Sequence, residues 1–178
     1  MNKLLEFLKK QFPISEKDWQ TFSNCLEAKT FCKKKIILQA GKIENYLYFI
    51  DTGILRVYSI KKDKEITIGF GFQDSFFSSY TSFLTRQPSH YNVQAITDVS
   101  LWCITYENLQ KIYTETQYGQ FFGRLAAEQL FIKKSQRELS LLRLSAEERY
   151  VQLLKHHTEL VQHIPLQYLA SYIVSNFA

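Results

Sequence analysis

The chain has 178 residues, 46 % of them hydrophobic and 15 % aromatic, with six glycines and three prolines; this excludes disordered, collagen-like and low-complexity classes. No apolar run approaches the roughly 18 residues of a membrane span, and the start, MNKLLEFLKKQF, lacks the small-residue cleavage site of a signal peptide, so the expected compartment is the cytoplasm. The formal charge is +5, yet of 22 Lys and Arg only Arg149 and Lys155 follow Leu144, against Glu147, Glu148 and Glu159. The last 34 residues therefore carry −1 and the first 144 carry +6, whereas a DNA-contacting face concentrates Lys and Arg.

The first elements read as short helices. Leu4, Leu5, Leu8 and Phe12 share one face, Pro13 interrupts, and Ser15 with Asp18 three residues on makes a capping-box-like start for a helix burying Trp19, Phe22 and Leu26. From Lys33 the period changes. Residues 36–38, 46–50, 54–60, 66–72, 91–96 and 101–104 are short β-branched or aromatic runs separated by the turn signals AGK, DTG and KKDK. Strands about 8 to 12 residues apart imply a sandwich, jelly roll or barrel. ILRVYSI does not alternate strictly, which predicts a sandwich strand with partial cover on both sides. The run Lys33-Lys34-Lys35, just ahead of a strand, reads as a solvated edge that discourages sheet pairing.

Thr105 is an N-cap signal, and the chain then turns helical. Phe121, Leu125, Glu128, Ile132, Ser135, Leu139 and Leu142 step alternately by four and three, the spacing of a helical seam. With no Pro and a single Gly, Gly123, between Phe121 and Leu142, the pattern predicts a helix of about 25 residues, near 37 Å long. That exceeds what one small β-domain covers, so Phe121, Leu125, Ile132, Leu139 and Leu142 are the expected interface of a homodimer. Ser145-Ala-Glu-Glu148 is a capping box opening a further helix that buries Tyr150, Val151 and Leu154. A last helix is expected over 165–173, with apolar Tyr168, Leu169, Tyr172 and Ile173 packed on the 145–157 helix or on an opposing subunit.

This order of parts, with the segment KKKIILQAGKIENYLYFIDTGILRVYSIKKDKEITIGFGFQD, resembles the cyclic-nucleotide-binding domain of Crp/Fnr-type bacterial transcription regulators. The likeness rests on Gly41 after a strand, the 46–50 strand, Gly53 at a turn, the Lys61–Lys64 hairpin and Asp74 near the pocket, and IPLQYLASYI resembles the first helix of that family's helix-turn-helix. The implied fold is α+β: an antiparallel β-roll (jelly roll) with flanking helices, a long dimerisation helix and a short helical C-terminal domain. The implied division is 1–115 for the first helices and roll, 116–144 for the dimer helix and 145–178 for an incomplete helix-turn-helix-type domain. Five residues follow Ile173, too few for a turn and a recognition helix, so no DNA-reading residues can be assigned.

The resemblance also places Ser78 where cyclic-nucleotide binders carry a glutamate for the ribose and Ser89 where they carry an arginine for the phosphate. A buried phosphate without that cation forgoes a charge-assisted bond worth about 1.5–3 kcal/mol, so a standard cyclic nucleotide is not the expected effector. Ser78, Ser79, Arg86, Ser89 and His90 form the candidate pocket for another, unidentified small molecule, or are ordinary loop residues. The alternative reading is a stand-alone ligand-binding and dimerisation module without DNA binding.

Nothing calls for an enzyme, a metal or a cofactor. There is no nucleophile elbow, phosphate-binding glycine loop or H-E-x-x-H. His156, His157 and His163 lack a completing ligand set and read as solvated helix-end residues. Cys25, Cys32 and Cys103 contain no C-x-x-C and read as ordinary buried thiols.

Overall fold

Strands of alternating side-chain direction build two four-stranded antiparallel sheets that face each other as a roll. The computed structural model describes residues 2–174, leaving the side chains of Asn2, His156, His157, Glu159 and Leu160 outside the described set. The first sheet has the order β1 (Glu27–Phe31), β8 (Val99–Thr105), β3 (Tyr46–Thr52) and β6 (Phe76–Phe77). In the second the order is β2 (Ile36–Leu38), β7 (Asn92–Ala95), β4 (Leu55–Lys61) and β5 (Lys64–Gly71). The helices are α1 (Asn2–Lys9), α2 (Glu16–Asn24), α3 (Tyr80–Thr85), α4 (Tyr106–Glu115), α5 (Gly119–Arg143), α6 (Ala146–Val161) and α7 (Leu166–Val174).

Three cores follow from the period-two rule. In β3, Tyr48 and Ile50 point into the roll with Leu55, Phe77, Val93 and Leu101. Their neighbours Leu47 and Phe49 point the other way, where Leu4, Leu8, Phe22, Ile112 and Phe122 of α1, α2, α4 and α5 cover the first sheet. The outer face of the second sheet, with Phe70 and Phe72, is covered by Val161, Ile164, Leu169 and Ile173 from the end of the chain. The inner strands β3, β4 and β8 are thus largely covered on both faces, which is why they read as near-continuous apolar runs.

The caps act as their residues predict. Ser15 Oγ accepts from the Asp18 N–H at 3.0 Å and Thr105 Oγ1 from the Asn108 N–H at 3.1 Å. Ser145 and Glu148 exchange side chain-to-backbone bonds of 2.8 and 3.2 Å. In the β4–β5 hairpin both central residues, Lys62 and Asp63, have positive φ, as two-residue turns that match strand twist require. At Gly53, φ is +92° and a Cβ would lie 2.4 Å from the Asp98 carbonyl oxygen. We expect Gly53→Ala to cost about 3 kcal/mol, read as a lowered urea midpoint.

Two strands carried no sequence signal. β1 is an edge strand with mixed, mostly exposed residues, so it lacks alternation. β6 has only two residues, too short for any period. The expectation for the thiols also needs correction: Cys25 and Cys103 are buried, but Cys32 is exposed, because it directly follows that edge strand. His163 is exposed; the side chains of His156 and His157, and residues 175–178, lie outside the described set.

The tail packs on α6, as expected, and also on β5. Ser171 Oγ accepts from the Thr67 N–H at 3.2 Å and pairs with Thr67 Oγ1 at 2.7 Å. Beneath Tyr168 lies Arg56, fully buried. Its Nη2 donates to Glu65 Oε2 at 2.6 Å and Gln94 Oε1 at 2.8 Å. Its guanidinium lies between the rings of Tyr58 and Tyr168, 4.0 and 3.5 Å from their centroids. Two further arginines, Arg137 and Arg149, donate to the carbonyls of Tyr172 and Ile173, satisfying acceptors at the C-terminal end of α7 that the helix itself leaves open.

Candidate functional site

The five pocket candidates surround α3, which the chain places between β6 and β7, but they do not converge. Only Ser79 and Ser89 meet, both buried, with their hydroxyl oxygens 2.8 Å apart. Ser89 Oγ donates to the Tyr91 carbonyl at 2.9 Å. A hydroxyl has one proton to give, so Ser79 is the donor of the pair. Ser78 turns away and donates to the Tyr46 carbonyl at 3.0 Å. His90 is exposed, with its ring against Tyr91.

Arg86 is committed elsewhere. It caps the C-terminus of α3 with φ +57°, and its Nη1 donates to the Glu44 carbonyl at 2.7 Å while Nη2 donates to Asn45 Oδ1 at 2.8 Å. It therefore ties α3 to the loop before β3, and reaching a ligand in the roll would mean breaking both bonds.

A residue the sequence reading missed lies at the centre. Glu44 is 1 % exposed. Its Oε1 accepts from Tyr48 Oη at 2.8 Å and the Tyr46 N–H at 3.1 Å, while Oε2 is buried without a hydrogen-bond partner. Burial pushes the Glu44 carboxyl above its ordinary range, although Tyr48 and the backbone N–H groups of Tyr46, Ser79 and Asn45 pull it down. Burial, with the Glu44 charge behind it, raises the Tyr48 phenol well above its usual value. Within a loop reading KIENY, nothing distinguishes this glutamate from a solvated one.

The site thus has the opposite polarity to one built for a phosphate: a buried carboxyl, and no ion pair to it among the described residues. At Gly71 the roll interior is tightly packed, since a Cβ there would meet Phe77 at 2.5 Å and Ile50 at 2.7 Å. A cleft of about 430 Å³ lies along β2 and the 42–46 segment, lined by Ile36, Leu38, Lys42, Ile43, Asn45 and Tyr46 among others. None of the five candidates lines it.

On α5, Phe121 is half-buried against Phe12, with ring centroids 5.6 Å apart, and Leu125 is half-buried. Ile132, Leu139 and Leu142 are 53, 49 and 83 % exposed, and Phe131, absent from the seam read in the sequence, is 70 % exposed. The opposite face of the helix is spent on its own chain. There Gly123 lets the Tyr113 ring approach to 2.5 Å from where a Cβ would stand.

A double-sheet antiparallel roll, with a short helix between its sixth and seventh strands and two helices, the second of them long, following its eighth, defines a jelly-roll domain. The chain belongs to the cyclic nucleotide-binding domain family, which matches residues 28–116. Among solved structures it resembles a protein described as a Crp/Fnr-family transcriptional regulator from Eubacterium rectale (TM-score 0.71, 19 % identity, covering 93 % of this chain and 81 % of that one). It also resembles FixK2 from Bradyrhizobium japonicum (TM-score 0.70, 17 % identity, 83 and 77 % covered). A third is the c-di-GMP responsive global regulator CLP of Xanthomonas campestris (TM-score 0.61, 16 % identity, 82 and 73 % covered). At these identities the likeness shows the fold alone. No curated protein matches the chain. Among the described residues no helix is long and apolar enough to cross a membrane.

Proposed function

We propose that this protein is a homodimeric, cytoplasmic transcription regulator of the Crp/Fnr type, not an enzyme, whose roll answers to something other than a standard cyclic nucleotide. The observation that carries this reading is the apolar stripe of α5, from half-buried Leu125 through exposed Phe131, Ile132 and Leu139 to Leu142. A helix that leaves a sensor roll with such a face unpaired fits a second copy of itself. A change in how α3 sits in the roll would then reach the partner through α4 and α5, a coupling between two states of the dimer. Ser79 and Ser89, with Glu44 beside them, are the residues we assign to effector sensing. Arg86 holds α3 in place.

A second reading has its own support. The apolar face of α7, with Leu169 and Ile173, is already buried against the roll, as in a module that senses and dimerises without reading DNA. Fluorescence anisotropy with labelled DNA from the protein's own promoter region, across a salt series, separates the two. The regulator reading expects an affinity that falls steeply with salt, by about 10³ or more between 50 and 200 mM for a protein making several phosphate contacts. No binding even at low salt overturns it in favour of the second.

A further inference from the structure

Beside the apolar seat of Phe83, buried in the core against Tyr106, the polar attachment of α3 to the rest of the roll runs largely through one residue. The Glu44 backbone N–H donates to Ser82 Oγ at 3.0 Å, its carbonyl accepts from Arg86, and its neighbour Asn45 accepts from the other arm of the same guanidinium. Its side chain then enters the roll and closes on β3 through Tyr48 and the Tyr46 N–H. Helix and strand are joined across this one carboxyl-bearing residue, and half of that carboxyl, Oε2, is buried with nothing bonded to it.

The groups around the carboxyl bring no ion pair to it among the described residues, and the Tyr48 hydroxyl with the N–H groups of Tyr46, Ser79 and Asn45 offsets burial only in part. From β3 come the phenols of Tyr46 and Tyr48, and from β8 the Cys103 thiol, which burial keeps protonated to about 12. From α3 and its flanks come the hydroxyls of Ser79, Ser82 and Ser89, and Arg86, whose guanidinium is spent on carbonyl and amide oxygens. The β1 cation, Lys29, is 2.7 Å from the Tyr46 hydroxyl and pairs with Glu27. An ionised carboxylate loses far more on burial than a neutral acid.

We propose that Glu44 is a proton-gated latch on α3: with its carboxyl protonated, α3 stays closed on β3 and the loop before it, and on ionisation the unpartnered oxygen is drawn toward water and α3 is released. The direction agrees with burial holding this group above the ordinary carboxylate range. A raised acid favours the closed form below its open-state value and loses that advantage as pH rises toward its closed-state value. This deepens the regulator reading by naming the proton as an input to the roll, and it rests on that reading only for the onward step from α3 to α5.

Hydrogen exchange of the α3 amides, corrected for intrinsic rates and followed from below the carboxylate range to neutrality, tests the latch. In the wild type, opening of α3 should rise with pH by up to about tenfold per unit within the window, then level off. Glu44→Gln cannot ionise and should show a flat profile. Tyr48→Phe removes a donor that favours the anion, so its rise should move to higher pH, and this variant decides the matter should Glu44→Gln fail to fold. A wild-type profile parallel to that of Glu44→Gln, or a Tyr48→Phe midpoint that does not move, overturns the proposal. DNA affinity plays no part in this readout, so the latch stands or falls apart from the regulator reading.

Discussion

Arg56→Ala is expected to lower the unfolding free energy by about 3 kcal/mol, toward the lower end of the range for breaking a buried ionic contact. The ion pair itself is not the main reason. Glu65 is 44 % exposed and can turn to water when its partner is gone, so that pair contributes no more than about 1 kcal/mol. The larger losses lie around it. Two aromatic faces lose a desolvated cation, an arrangement worth about 2 kcal/mol, and truncating a fully buried long side chain leaves a cavity under α7. Gln94 Oε1 and Thr67 Oγ1 also lose a donor. Arg56→Lys should recover less than half of the loss, since an ammonium cannot span Glu65 and Gln94 or stack between Tyr58 and Tyr168. Urea denaturation measures the energy, and hydrogen exchange locates it: protection should fall first in α7, which loses the seat of Tyr168. A loss below about 1 kcal/mol would show that the sheet tolerates the vacancy and that α7 is held by Phe70, Tyr172 and the Thr67–Ser171 pair instead.

The same arginine shows where sequence reasoning stops. The roll, its turns, the caps at Ser15, Thr105 and Ser145 and the length of α5 were legible because each is written in a pattern several residues long. ILRVYSI was readable as a strand partly covered on both sides. That its arginine is the covered residue was not, because its cover is Tyr168, more than a hundred residues further on. Glu44 is the same case: one glutamate in a polar loop has no period, and its burial depends on where α3 and β3 cross. Arg86 was legible as a cation near the pocket, but its positive φ and its role as a cap turn it toward the loop before β3. Of the five pocket residues only Ser79 and Ser89 are brought together. The polar part of a site is set by tertiary crossings, whereas the apolar part announces itself through repetition.

The double variant Ile132→Glu, Leu139→Glu is expected to turn a dimer into a monomer at micromolar concentration. The two positions are seven residues apart, two turns of helix, and so lie on one line along α5. Both are about half exposed in the single chain, so their replacement removes little intrachain packing, and the melting temperature of the roll should hold within a few degrees. Across a two-fold axis the pair brings four carboxylates into the seam, each desolvated without a cation, and an interface of this kind does not absorb that cost. Glu128 and Ser135 already interrupt the stripe, so the wild-type association should depend on the apolar positions, including Phe131 and Leu142. Sedimentation equilibrium over a dilution series reads the result directly. A wild type that is itself monomeric would leave the stripe for some other partner and remove the basis for symmetric signalling through α5. A dimer that survives both glutamates would place the interface elsewhere on the roll.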